Sequence, residues 1–240
     1  MSNSFFQFKQ FIVHQDRCAM KVTTDACLFG AWVADDLQKN NGAKTILDIG
    51  AGTGLLSLMV AQKNPEIQID SIEIDGNATE QAMANAASSP WKETITTIHA
   101  DAKNFNSKNK YDRVISNPPF YENELQSENK QKNIAHHSED LALNDLLNTI
   151  KQNISTTGSF YLLLPYKRNN EISPLLNKYG FSISHKVNVR QSVNHNYFRI
   201  MIKAGLKNSS PREEEIPIKD NNQQYTKQFI DLLKDYYLYL

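Results

Sequence analysis

Three glycines at alternate positions, Gly50, Gly52 and Gly54, separate an apolar run from a helical one. The run Lys44–Ile49 reads as a short buried strand, and Gly54–Lys63 carries the apolar stripe of a helix. Glycine lets the backbone turn tightly between the two and approach a ligand without a Cβ in the way. The helix start that follows attracts polar or negative groups. The alternation continues with strand Ile67–Ile74, helix Asn77–Ala87, strands Thr94–His99 and Tyr111–Ser116, helix Ser138–Asn153 and strand Gly158–Leu164. Such βαβ spacing predicts an α/β fold, a mostly parallel sheet with helices on both faces. Helix Arg168–Tyr179 comes next, and then Phe181–Val189 and Tyr197–Lys203 alternate in the antiparallel manner. At the ends, residues 1–22 read as an extended segment or hairpin and Thr23–Lys39 as a helix capped by Thr23 or Thr24. Pro211–Asn222 reads as a charged, proline-bearing linker and Tyr225–Tyr239 as a last helix.

Composition narrows the function classes. A chain of 240 residues suits one domain with small additions, and 40% apolar residues suffice for a full core. Cys18 and Cys27 belong to no CxxC or Cys/His cluster, which speaks against a disulfide framework and a zinc ribbon. The first residues lack a basic stretch followed by a clean apolar one, and no apolar run approaches the roughly 20 residues of a membrane span. A cytoplasmic setting, no membrane and no metal are expected. The charges balance at 26 against 26, which by itself disfavours a nucleic-acid partner. Yet Lys151–Lys207 holds nine basic residues and only one acidic residue, Glu171. Most such residues solvate exposed faces, but the asymmetry allows a basic face for a polyanion.

Two acidic positions accompany the glycine turn. Glu73 ends the second strand, about twenty residues on, where a carboxylate accepts both hydroxyl protons of a ribose. Asp101 follows the third strand at the adjacent loop, while Asp75 and Thr53 read as ordinary loop and cap residues. A dinucleotide site has GxGxxG spacing; here it is GxGxG, with Asp48 two residues before Gly50. This resembles motif I of the class I S-adenosylmethionine-dependent methyltransferases. The resemblance implies a Rossmann-like fold with a mostly parallel seven-stranded sheet and an antiparallel last strand. It implies S-adenosyl-L-methionine as cofactor, with Asp48 and Gly50 near the methionine amino group and Gly52 and Gly54 completing the turn. Glu73 would take the ribose hydroxyls and Asp101 the adenine exocyclic amine.

Asn117-Pro118-Pro119-Phe120 follows the fourth strand directly. Two prolines stop the ladder and stiffen the chain. With the asparagine before them and the aromatic after, the segment resembles the NPPY/NPPF motif of methyltransferases that modify planar nitrogens. An exocyclic amine is a poor nucleophile because its lone pair is delocalised, and it turns positive as it attacks a methyl group. The Asn117 side-chain oxygen and the Pro118 carbonyl can hold its protons, offset that charge and aim the lone pair. Asn117 also borders the cofactor side. Phe120 would stack on the base and Tyr121 would form a second wall. A base must leave its stack to enter such a pocket.

Phe8-Lys-Gln-Phe11, Cys18-Ala-Met-Lys21-Val, Thr24-Asp25 and Gly30-Ala-Trp32 before motif I, and the aromatic end Tyr225 to Leu238, extend the likeness. Together with Ile115–Pro119 they resemble the bacterial tRNA1(Val) adenine-37 N6-methyltransferases nearly end to end. The resemblance implies a single domain over 1–240, with a cofactor-closing segment and helix at 1–40 and a linker and helix at 211–240. By likeness to motif X, Lys21, Thr23 and Thr24 are cofactor-side candidates. The expected partner is the anticodon loop of a tRNA, bound by a monomer, with Lys186, Arg190 and Arg199 on the RNA backbone and His195 near them. Ala135-His136-His137 read as polar loop residues. Competing readings are a release-factor glutamine methyltransferase, a ribosomal RNA guanine-N2 methyltransferase, a non-catalytic binding subunit and, least of all, a nicotinamide-dependent oxidoreductase.

Overall fold

The computed structural model describes residues 3–40, 42–118, 143–206 and 210–240. A short antiparallel hairpin, β1 (Phe5–Gln7) and β2 (Ile12–His14), precedes helix α1 (Thr24–Lys39). Thr23 caps α1, its side chain accepting from the Ala26 N–H. Then β3 (Thr45–Ile49), α2 (Leu55–Lys63), β4 (Gln68–Glu73), α3 (Gly76–Ala87), β5 (Ile95–His99) and β6 (Tyr111–Ser116) alternate as the periodicity predicts. Helix α4 spans 143–153 within the described residues. It is followed by β7 (Ile154–Pro165), α5 (Asn169–Lys178), β8 (Ser182–Ser192), β9 (Tyr197–Gly205), β10 (Arg212–Lys219) and α6 (Lys227–Leu233).

The strands from β3 onward form one sheet in the order β10-β8-β9-β7-β6-β3-β4-β5. The four pairings among β3 to β7 are parallel, while β9 runs antiparallel to both β7 and β8. Period-two alternation splits the core by face. Ile46, Ile69, Ile115, Leu163 and Met201 pack toward α1, α2 and α6. Leu47, Ile72, Val114, Leu162 and Ile200 pack toward α4 and α5. Both faces are therefore covered, as parallel sheets require. Gly30 lets α1 approach α2 closely: a Cβ there would sit 2.7 Å from the Met59 sulfur.

Three expectations are corrected. The sheet has eight described strands rather than seven, and the last one, β10, is parallel to its neighbour β8; the antiparallel strand is β9, inside the sheet. The expected linker Pro211–Asn222 is mostly this edge strand. Ile216 and Ile218 are buried in the core, and Pro217 is tolerated because β10 ends the sheet, with no further strand beyond it to need its missing N–H. The final helix is also shorter than Tyr225–Tyr239, running only over Lys227–Leu233.

Candidate active site

The chain leaves β3 for β4 and β5 on one side, then returns to β6 on the other. A crevice opens at such a reversal outside the carboxyl ends of the strands, where open α/β sheets bind ligands. A cavity of about 510 Å³ lies there. It is walled by Gly50 and Gly52 after β3, Glu73 after β4, Asp101 after β5, and Asn117 and Pro118 after β6. Four separate strand ends thus bring the predicted glycines, both carboxylates and the asparagine to one space.

The glycine turn is built for close approach. Gly50, Gly52 and Gly54 all have positive φ, at 74°, 54° and 79°. A Cβ on Gly50 or Gly52 would meet nothing within 4 Å, so the backbone faces open space. Gly54 stands behind, capping α2 and packing on Ala82, and does not line the cavity. Glu73 ties the turn to β4: its Oε2 accepts from the Gly52 N–H at 2.8 Å, and its Oε1 from the Ile74 and Asp75 N–H groups. Asp101 accepts from the Lys103 N–H at 3.0 Å and from the Asn104 amide at 3.2 Å. Asp75 caps α3 through Ala78, as its position suggested, and also touches the cavity.

Asp48 sits one layer below and is fully buried. Its Oδ2 accepts from the Ser57 hydroxyl at 2.7 Å, and its Oδ1 has no partner. Burial pushes this carboxyl up to about 7, partly offset by the Ser57 bonds. Its unpartnered oxygen, the open glycine cradle and the carboxylates of Glu73 and Asp101 form a donor-poor, acceptor-rich end. That chemistry fits a cofactor carrying an ammonium, a ribose diol and an aminopurine.

Lys21, Thr23 and Thr24 do not line the cavity. Lys21 bonds the Gln15 carbonyl oxygen, and Thr23 is occupied as the α1 cap. Their neighbours Arg17, Cys18, Ala19 and Met20 form the wall instead. Two α3 side chains pin this segment. Gln81 accepts from the Arg17 N–H, and Asn85 bridges the backbone of His14 to the Thr53 carbonyl oxygen of the glycine turn. Sequence reasoning missed Gln81 and Asn85, which carry no local signal beyond being amides on a helix. It also missed Arg168, at the end of the 3-10 turn Tyr166–Arg168 that follows β7, which is buried in the cavity wall. Burial raises the Cys18 thiol to about 11, which leaves it protonated and unreactive.

Phe120, Tyr121 and the Ala135-His136-His137 segment lie outside the described residues. The basic candidates are placed at the β8–β9 end of the sheet, each with a carboxylate. Lys186 pairs with Glu213 at 3.1 Å, Arg190 with Glu215 at 2.7 Å and Arg199 with Asp25 at 2.7 Å. The sequence surplus of Lys151–Lys207 is therefore matched in space by Glu213 and Glu215 of the unforeseen β10. His195 is held by Ser192 at 2.7 Å.

Comparison with known proteins identifies the family. Residues 30–160 match the family model of the methyltransferase small domain. A tRNA1(Val) (adenine(37)-N6)-methyltransferase of Dyadobacter fermentans is 39% identical, the match covering 98% of each chain. The protein of the same name from Bacteroides thetaiotaomicron is 35% identical over the whole of both chains. Among solved structures, a predicted O-methyltransferase of Agrobacterium tumefaciens superposes with a TM-score of 0.64 at 19% identity, covering 88% of this chain and 96% of that one. The glycopeptide N-methyltransferase MtfA complexed with S-adenosyl-L-methionine gives 0.55 at 12% identity, covering 74% and 94%. The solved structures share the fold. The chain belongs to the methyltransferase small domain family.

Proposed function

We propose that this enzyme transfers a methyl group from S-adenosyl-L-methionine to N6 of adenine 37 in the anticodon loop of tRNA1(Val). The observation that carries the reading is the shared cavity: Asn117 and Pro118 open onto the same space as Gly50, Gly52 and Glu73. A nucleophile held by the first pair meets a methyl donor held by the second set. The name borne by the full-length relatives supports this substrate.

When bound, the cofactor supplies the activated methyl group. Asp48 and Gly50 hold its amino-acid end, Glu73 its ribose and Asp101 its adenine. The Asn117 side-chain oxygen and the Pro118 carbonyl oxygen accept the two N6 protons of the target. They stabilise the positive charge that grows there as the nitrogen attacks, and they direct its lone pair. No strong base is needed, because the methylated nitrogen becomes acidic enough to lose its proton to water. By resemblance to the NPPF motif, Phe120 would stack on the unstacked base and Tyr121 would form a second wall. A loop adenine is less costly to extrude than a paired one.

In this reading the chain acts as one domain and as a cytoplasmic monomer without a metal. Residues 1–40 close the cofactor side. Among the described residues no helix is long and apolar enough to cross a membrane. Arg190 and Arg199, near the strand ends that face the cavity edge, meet RNA backbone at the periphery; Lys186 mainly holds the β8–β10 seam.

The test is a substrate survey. Purified protein and labelled S-adenosyl-L-methionine are incubated with total tRNA, ribosomal RNA and release factor from a strain lacking the gene. Label in N6-methyladenosine of one tRNA is expected. Label only in guanine or in protein glutamine would overturn the assignment.

A further inference from the structure

We propose that Asn85, a buried amide on α3, is a positioning residue for the cofactor: it fastens the Arg17–Met20 wall to the glycine turn and sets the spacing between them before the cofactor arrives. This rests on the S-adenosyl-L-methionine reading above and not on the identity of the methyl acceptor.

Residues 16–22 form neither helix nor strand, so no ladder or helical bonds hold them. Side chains do so instead. The Gln15 side-chain oxygen accepts from the Val22 N–H at 2.8 Å, and the Lys21 ammonium donates to the Gln15 carbonyl oxygen. These bonds close the neck of the loop and give it a shape. They do not give it a place, because both run within the segment itself. Placement comes from α3. The Gln81 side-chain oxygen accepts from the Arg17 N–H at 3.2 Å. Asn85 is only 1% exposed and works in two directions. Its Oδ1 accepts from the His14 N–H at 3.0 Å and its Nδ2 donates to the His14 carbonyl oxygen at 2.9 Å, which grips the end of β2 just before the loop. Nδ2 also donates to the Thr53 carbonyl oxygen at 2.9 Å, between Gly52 and Gly54.

One face of α3 carries the whole arrangement. Ala78, Gln81, Ala82 and Asn85 recur there at helical spacing. Ala78 lines the cavity, and a Cβ on Gly54 would stand 3.4 Å from the Cβ of Ala82. The wall and the turn are thus referred to a single rigid element. A ligand clasped between two surfaces binds more tightly the more nearly they are already in place, because ordering a loose loop on binding costs free energy. Asn85 itself does not line the cavity, and Asn117 and Pro118 follow a different strand, β6. Loss of Asn85 therefore weakens cofactor capture and leaves the chemical step alone.

The experiment compares the wild type with Asn85→Ala, Gln81→Ala and a remote core control, Ile216→Ala on β10. Calorimetry reads the Kd for S-adenosyl-L-methionine, and tRNA methylation at limiting and saturating cofactor separates KM from kcat. Asn85→Ala is expected to raise Kd and the cofactor KM about tenfold or more, the size of one or two lost buried hydrogen bonds. Its kcat at saturating cofactor should stay within about twofold of the wild type. Gln81→Ala frees only the wall and should raise Kd about threefold. Ile216→Ala should lose stability with Kd unchanged, which is how a merely structural residue behaves. Unchanged affinity in a folded Asn85→Ala overturns the proposal, as does a loss expressed in kcat alone or shared by Ile216→Ala. Should Asn85→Ala not fold, Gln81→Ala decides by the same readings. A wild type that does not bind the cofactor overturns the cofactor reading instead, and this inference with it. A wild type that binds the cofactor and methylates no tRNA overturns only the substrate, and the calorimetry still decides the role of Asn85.

Discussion

Asp48→Asn should stabilise the ligand-free protein at neutral pH while weakening cofactor binding. The carboxyl is fully buried, and burial raises it from the ordinary 3.8 to about 7. Between those two values the folded chain keeps a proton that the unfolded chain has released. Stability from this group is therefore fully present below about pH 3.8. It falls as pH rises toward about 7, and the deficit is constant above that. The full deficit is about 4 kcal/mol, since each unit of displacement corresponds to roughly 1.4 kcal/mol. Asparagine is neutral at every pH, is nearly isosteric and can still accept from the Ser57 hydroxyl. The stability difference between variant and wild type isolates this one group from all other titrations. Between about pH 5 and about pH 8 that difference should widen by roughly 2–3 kcal/mol in favour of the variant. For a chain of this size this corresponds to a gap of roughly 5–10 °C in midpoint. Urea unfolding of both proteins across that pH range measures it directly. Parallel pH profiles would refute the reasoning and show that Asp48 is ionised in the folded protein without penalty.

Four other outcomes are expected. Asn117→Ala should reduce turnover by at least about a hundredfold, the usual size of a lost charge-stabilising group. Its cofactor affinity, read by calorimetry, should change little. Glu73→Ala removes the acceptor of the Gly52 N–H and should raise the cofactor dissociation constant by tenfold or more; cofactor titration checks this. Asp36→Ala should destabilise the fold by about 3–5 kcal/mol in urea unfolding. It strands the poorly exposed Lys203 ammonium, now 2.6 Å from the carboxylate, and a Tyr161 hydroxyl at the same distance. Ile216→Ala on β10 should cost about 2–5 kcal/mol, whereas a true linker would tolerate it; thermal unfolding distinguishes the two.

The alternating core was legible because each central element announces itself locally. Leu47 and Ile46 face opposite sides of the sheet, and the glycines that end β3 admit few other conformations. Glu73, Asp101 and Asn117 were legible for a related reason: each sits at the end of a recognisable strand, and parallel strands deliver their ends to one edge. What stayed hidden depends on contacts remote in sequence. Glu213, Glu214 and Glu215 made β10 look like solvated linker, yet they meet Lys186, His185 and Arg190 of β8 across a strand pairing. The same pairing is why the basic surplus of Lys151–Lys207 overstated the charge available to RNA. The cavity wall at Arg17–Met20 was missed for Lys21 and its neighbours because Gln81 and Asn85, over sixty residues away in the chain, decide which part of that segment faces the cavity. Arg168 gave no motif at all; only its burial in the cavity wall singles it out.

Methylation of tRNA1(Val) by the purified enzyme tests the central claim most directly. The tRNA is prepared once with adenine 37 and once with guanine in its place, and each is offered to the wild type and to Asn117→Ala. Incorporation into the adenine 37 tRNA alone, by the wild type alone, is the predicted result. Equal labelling of both tRNAs, or undiminished labelling by Asn117→Ala, would contradict the account.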